Sequence, residues 1–284
     1  MKIGVSAFAW TSVFTERHLS VLPALRGNGI AALEIPMLEP SHLPAKAIRD
    51  ACGQHEIVPT VCAILPPGIN PISPEPMVRR QSQEHLRQCV AVAAEMGASL
   101  LGGPLCAPIG YLPEHRPTAD EWTRAVDAFQ QLGESLDSYA MTISMEPVNR
   151  AETFFLRTAA QARALCEAVN HPRIGVTIDT FHANIEEKNI AQAVQSLGPH
   201  LKHLHLSEND RSLLGAGHVD FPSILNAAAS IGYSGYLMIE GFGYSPEEQF
   251  GPGVLWAEPH VSPEALAYES ATYLRSLLRM QAIA

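Results

Sequence analysis

Short apolar runs with β-strand character recur eight times along the chain, and each is separated from the next by a stretch with helical spacing. The runs lie near residues 2–8 (KIGVSAF), 30–35 (IAALEI), 57–64 (IVPTVCAI), 98–103 (ASLLGG), 141–146 (MTISME), 173–178 (RIGVTI), 201–206 (LKHLHL) and 235–240 (GYLMIE). Segments 80–96, 119–137 and 158–169 carry the apolar period of amphipathic helices, with Thr158 as an N-cap for the last. Eight repeats of strand then helix predict a (β/α)8 TIM barrel. An open doubly wound sheet is the structural alternative, but no GxGxxG motif follows the first run. The 284 residues contain no Ser/Gly-rich linker or block of charge, so one barrel domain over 1–284 is expected.

Alternation within the strands places the chemistry. In 141–146, Met141, Ile143 and Met145 share one face, while Thr142, Ser144 and Glu146 share the other. In the sixth run Ile174, Val176 and Ile178 oppose Gly175, Thr177 and Asp179; in the eighth Leu237 and Ile239 oppose Met238 and Glu240. A barrel strand turns one face to the surrounding helices and the other to the axis, so the acids are expected to point inward. Each closes its strand at the C-terminal end, the end at which barrels of this type carry their active sites.

Glu146, Asp179, His205 and Glu240 are thus delivered to one rim by four successive strands. Three converging carboxylates repel one another unless a cation lies between them. Three oxygen donors and one imidazole suit a divalent ion such as Mn2+, Co2+ or Mg2+ and suit a thiolate-preferring ion poorly. Read singly, each of these residues is an ordinary strand-end acid or an interior histidine. Read together, the bland reading needs four coincidences of residue type, face and strand end.

Composition removes other classes. The net charge of −10, with no basic cluster longer than Arg79-Arg80, disfavours nucleic acid as a partner. Five scattered cysteines without CxxC spacing suggest neither a disulfide framework nor a thiolate zinc site. The chain enters a strand pattern at once and holds no long uninterrupted apolar span, so a cytoplasmic protein without membrane contact is expected.

Four stretches carry a family resemblance: Glu146-Pro-Val-Asn-Arg-Ala-Glu152, Asp179-Thr-Phe-His-Ala-Asn-Ile-Glu-Glu187, His203-Leu-His-Leu-Ser-Glu-Asn-Asp-Arg211 and Ile239-Glu240. They resemble the signature segments of the ketose 3-epimerases, which act on D-tagatose, D-allulose (psicose) or L-ribulose. That family lies within the barrel superfamily that also holds sugar isomerases and endonuclease IV. The resemblance implies a metal held by Glu146, Asp179, His205 and Glu240, with Mn2+ first among the candidates. It implies Glu146 and Glu240 as the acid/base pair, Glu152, His182 and Arg211 as contacts to a ketose, and a homodimer or homotetramer. Ser207 stands where the family often has glycine, Gly241 where proline or serine is common, and Pro147 follows Glu146. These departures bear on substrate preference.

Epimerisation at C3 of a ketose removes a proton beside the C2 carbonyl and returns one to the opposite face through a cis-enediolate. A metal ion at O2 and O3 and two carboxylates meet that need. The competing readings are an aldose–ketose isomerase of the hydroxypyruvate or xylose type, an endonuclease-IV-like repair enzyme, and a non-catalytic sugar-binding barrel. Several residues keep open roles. His182 is expected in the loop after the sixth strand. His203 is read as an interior, hydrogen-bonded residue and not a fifth ligand. Glu34, Trp10 and Cys62 either line the pocket or simply pack. Gly215 and Gly217 lie where some barrels bind phosphate, which leaves a sugar phosphate as a less favoured substrate. Segment 242–261, with Trp256, is a candidate covering or subunit-contacting loop.

Overall fold

The computed structural model describes residues 1–242 and 261–283. Within them, parallel strands β1 (Lys2–Ser6), β2 (Ala32–Met37), β3 (Val58–Ala63), β4 (Leu100–Gly103), β5 (Thr142–Met145), β6 (Ile174–Asp179), β7 (Leu201–Leu206) and β8 (Tyr236–Ile239) pair in chain order. β8 returns to β1, with Ile3 opposite Leu237, and closes the barrel. The helices among these residues are α1 (Leu22–Gly27), α2 (Ala45–Gln54), α3 (Pro76–Glu95), α4 (Ala119–Tyr139), α5 (Ala159–Val169), α6 (Thr180–Glu186), α7 (Ile190–Leu197), α8 (Phe221–Ser230) and α9 (Pro263–Ile283). No helix among the described residues is long and apolar enough to cross a membrane. The segment 243–260, with Trp256, lies outside the described residues.

The two-residue period of the strands sorts the core as expected. Ile143, Met145, Val176, Ile178, Leu204, Leu206, Leu237 and Ile239 are all buried in the apolar layer between sheet and helices. The axis-facing side is small and polar at mid-height: Thr177 Oγ1 donates to Ser144 Oγ at 2.7 Å, and Gly102 lies against Thr177. Residues this small let the larger His203 and Glu34 occupy the interior, where both are fully buried.

Local signals set the helix ends. Thr118 and Thr158 each form a capping box, with Glu121 and Gln161 as the returning side chains. At the other end, Ala140 and Asn170 adopt left-handed conformations (φ 50° and 52°) that stop α4 and α5 before β5 and β6. Between β6 and β7 the register shifts at Val176/Thr177, after which Asp179 pairs with His205. This irregularity sets an acid and an imidazole side by side at the rim.

Candidate metal centre

Two of the four rim residues extend the sheet by one backbone bond beyond their strands. The Glu146 N–H donates to Gly103 O at 2.9 Å, and the Glu240 N–H donates to Leu206 O at 2.9 Å. Both side chains therefore leave from ordered backbone, as do Asp179 at the end of β6 and His205 within β7. One ligand atom from each of Glu146, Asp179, His205 and Glu240 can be chosen so that all four lie within 4.8 Å of one another, and all four residues are buried. His205 Nδ1 stands 3.1 Å from Glu240 Oε2 and 3.4 Å from Glu146 Oε1.

A metal ion fits these residues because of their unsatisfied atoms. Asp179 Oδ2, Glu240 Oε2 and His205 Nδ1 are each fully buried without a hydrogen-bond partner among the described residues. Buried polar atoms normally find partners, and unpartnered ligand atoms on three residues of one such cluster are what a cation satisfies. The set is three carboxylates and one imidazole, so the site suits a divalent ion.

The electrostatics report the same crowding. Burial, and then the charge of Glu240, pushes Asp179 well above the usual carboxylate range. Burial also raises Glu146, against the pull of His205. Burial would raise Glu240 as well, but His205 and then Arg211 outweigh it and hold the group down to about 2. His205 loses to burial but gains more from Glu34, Glu240 and Glu146, and it keeps its proton well above the ordinary imidazole range. Two glutamates thus crowd one nitrogen of a single histidine.

Glu152, His182 and Arg211 gather beside this cluster. His182 is not in a loop: Asp179 Oδ1 accepts from Phe181 N–H at 2.7 Å, caps α6, and so places His182 on its first turn. Asp179 thus offers one oxygen to the helix and the other to the site. The Asn149 backbone N–H donates to His182 Nδ1 at 3.2 Å, so the ring proton resides on Nε2. That nitrogen lies 3.1 Å from Arg211 Nη2, which is also a donor. Two donors meeting head to head call for a shared oxygen acceptor, such as a sugar hydroxyl. Burial and then the Arg211 charge push His182 well below the ordinary imidazole range, which disfavours the charged ring.

Arg211 is held in the left-handed region at φ 59°, and its guanidinium carbon sits 4.0 Å from the Phe181 ring centroid and 4.7 Å from that of Phe242. A non-glycine residue there costs about 1–3 kcal/mol, and such strain concentrates at functional positions. Gly241 is required alongside, because a Cβ there would lie 2.6 Å from Arg211 O. Replacing Arg211 by alanine is expected to weaken catalysis while metal content stays near that of the parent chain. Parallel kinetics and elemental analysis check this; loss of metal from R211A would place Arg211 with the ion instead.

Other participants escaped the sequence reading. Asn149 Nδ2 lies 2.8 Å from His182 Nδ1 and donates to Glu152 Oε1 at 2.9 Å, so it ties two of the candidate sugar contacts together. Its position within the Glu146–Glu152 stretch was the only available signal. Glu34 sits in the middle of β2, not at its end, and lies under the rim in contact with His203 and His205. His203 is interior and hydrogen-bonded, as expected. Trp10 spends its Nε1–H on Glu264 Oε1 at 3.1 Å. Cys62 is buried, its thiol raised by burial and then by the charge of Glu34, which fits packing and not reactivity.

Gly215 and Gly217 do not form an open anion cradle. The buried Glu208 carboxylate accepts from Gly215 N–H at 3.0 Å, Asn209 N–H at 3.1 Å and Val219 N–H at 3.4 Å. A Cβ on Gly217 would lie 2.2 Å from Glu208 Oε2. The loop is wrapped around the chain's own carboxylate, which would repel a phosphate.

Fold and donor set together define a closed parallel barrel with a candidate divalent-metal site at its C-terminal rim. A family model for the xylose isomerase-like TIM barrel matches residues 22–277. The chain belongs to that family. A probable ketose 3-epimerase of Synechocystis sp. is 28% identical over 275 residues, covering 97% of this chain and 96% of the relative. An L-ribulose 3-epimerase of Mesorhizobium japonicum is 29% identical over 242 residues, with 85% of this chain and 81% of the relative covered. The crystal structure of a Methylomonas D-allulose 3-epimerase in complex with D-allulose superposes with a TM-score of 0.90 at 25% identity, covering 97% of this chain and 96% of that one.

Proposed function

We propose that this chain is a metal-dependent 3-epimerase of free ketoses of the D-tagatose, D-fructose, D-allulose and L-ribulose class. In this reading it acts as one barrel domain over 1–284 and as a cytoplasmic homodimer or homotetramer. The observation that carries the reading is the buried set of Glu146, Asp179, His205 and Glu240, whose ligand atoms lie within 4.8 Å of one another, with Glu146 and Glu240 both close to His205 Nδ1. The named activities of the relatives support it, and so does the Glu208-filled loop, which favours an uncharged sugar over a phosphorylated one.

Glu146, Asp179, His205 and Glu240 would hold the ion, with Mn2+ the first candidate and Co2+ or Mg2+ the others. When bound, such an ion polarises the ketose carbonyl and acidifies the neighbouring C–H. One of the two glutamates takes the C3 proton from one face. The other supplies one to the opposite face, and the roles exchange in the reverse direction. Between the two transfers the substrate is a cis-enediolate. His182 Nε2–H and Arg211 converge on a sugar oxygen, Glu152 accepts from a hydroxyl, and Asn149 fixes the spacing of His182 and Glu152.

The test is turnover of a ketose panel in D2O with metal-loaded protein. Deuterium is expected at C3 of recovered sugar and none at C1. Label at C1 with an aldose product would move the assignment to an aldose–ketose isomerase. Chelation is expected to abolish turnover, and added Mn2+ or Co2+ to restore it; full activity in protein shown by elemental analysis to be metal-free would count against the proposal.

A further inference from the structure

His203 and His205 project from the same face of β7 with ring centroids 4.9 Å apart and planes at 82°. Beneath them, Glu34 from β2 is fully buried and reaches both rings. Its Oε2 lies 2.9 Å from His203 Nε2 and accepts from Thr60 Oγ1 at 3.3 Å. Its Oε1 lies 2.9 Å from His205 Nε2, off the ideal bond direction, and neither of those two atoms has a hydrogen-bond partner elsewhere among the described residues. Two buried atoms, each without another partner and 2.9 Å apart, belong to each other.

The consequence concerns which nitrogen of His205 is bare. A neutral imidazole carries one proton, and an ionised carboxylate only accepts. When His205 gives up its extra proton to hold an ion, the carboxylate of Glu34 keeps the remaining one on Nε2, which leaves the Nδ1 lone pair free. Nδ1 is the atom that faces Glu146 and Glu240. A carboxylate behind a ligating ring also raises the basicity of the ligating nitrogen.

We propose that Glu34 is a positioning residue that fixes the tautomer and orientation of His205 toward the ion, with His203 and Thr60 holding Glu34 in turn. The inference takes from the proposed function only that His205 ligates a metal; it does not depend on the sugar. Glu34, His203 and His205 also have ligand atoms within 4.8 Å of one another and so form a rival cation set. The Thr60 hydroxyl directed at Oε2, and the service of two separate rings by two separate oxygens, favour hydrogen bonding over a second ion.

The experiment compares the parent chain with E34Q and E34D. Folding of each metal-free protein is followed by thermal melting, and Mn2+ affinity by competition with a chelator. E34Q is expected to bind Mn2+ about 10–100-fold more weakly, the range for losing a carboxylate behind a ligating histidine. E34D is expected to recover part of that loss, and the Co2+ visible spectrum of E34Q should differ from that of the parent. Nitrogen NMR of the histidine-labelled, Mg2+-loaded parent chain should place the His205 proton on Nε2; this measurement decides the matter even if E34Q does not fold. Unchanged Mn2+ affinity in folded E34Q would overturn the proposal, as would a proton on His205 Nδ1. Two ions per parent chain falling to one in E34Q would also overturn it, by making Glu34 a ligand. A Glu34-dependent metal affinity in a chain that turns over no ketose would leave this inference standing and remove the epimerase reading.

Discussion

Glutamine in place of either Glu146 or Glu240 is expected to lower net epimerisation by about 10²–10⁴-fold, the range for removing a positioned acid or base. Inversion at C3 needs one group to lift a proton from one face and another to deliver one to the opposite face, so one surviving glutamate cannot complete the reaction. It can still exchange hydrogen on its own side. One variant should therefore wash deuterium into recovered substrate without forming product, and the other should do so only when started from the epimer. Because both residues are also candidate ligands, kinetics are to be read at saturating Mn2+ with metal content measured in each variant. Near-parental turnover at full occupancy in either variant would end the two-glutamate mechanism.

A second large effect is expected far from any proton transfer. Gly103 closes β4 at φ 125°, a conformation L side chains rarely adopt, and a Cβ there would lie 2.1 Å from Ala63 O on the neighbouring strand. Strain of about 1–3 kcal/mol is then joined by overlap with backbone that has no room to withdraw. G103A should lose more than about 4 kcal/mol, a large part of the roughly 5–15 kcal/mol that holds a typical domain folded. Gly110 is the control: it is also left-handed (φ 80°), but a Cβ there would meet nothing within 4 Å, so G110A should cost only the conformational part. Since Gly103 O receives the Glu146 N–H, a G103A chain that survives should also bind metal poorly. Thermal melting and metal titration check both points. G103A melting within a few degrees of the parent would show that the β3–β4 edge can open without cost.

The barrel was legible because strand parity is a local property. Apolar and polar residues alternate in runs such as MTISME and RIGVTI, and closure of a parallel sheet converts parity into inside and outside without further information. The four rim residues followed from parity and strand end together. What stayed hidden depended on distances between segments. Glu34 has the inward parity, in a run where Leu33 and Ile35 point outward, but its depth under His205 follows from the stagger of β2 against β7, which no single strand encodes. His182 reads as a loop residue in the sequence because α6 is only seven residues long and its N-cap is the strand's own last residue, so neither a helical period nor a separate cap marks it. Glu208 gave no sign that its carboxylate turns back to meet N–H groups one, seven and eleven residues ahead.

That last arrangement bears on competition among ligands. An anion approaching the loop after β7 from solution must displace a rival that is covalently tethered to the same loop and never diffuses away. The contest is between an intermolecular and an intramolecular event, and tethering gives Glu208 an effective concentration that a dissolved metabolite does not match. The loop has thus answered its own electrostatic attraction before any ligand arrives. On the proposed reading, selection at the mouth of the barrel would be left to hydroxyl geometry, and phosphorylated sugars would be turned away by a group that never touches the reacting carbon.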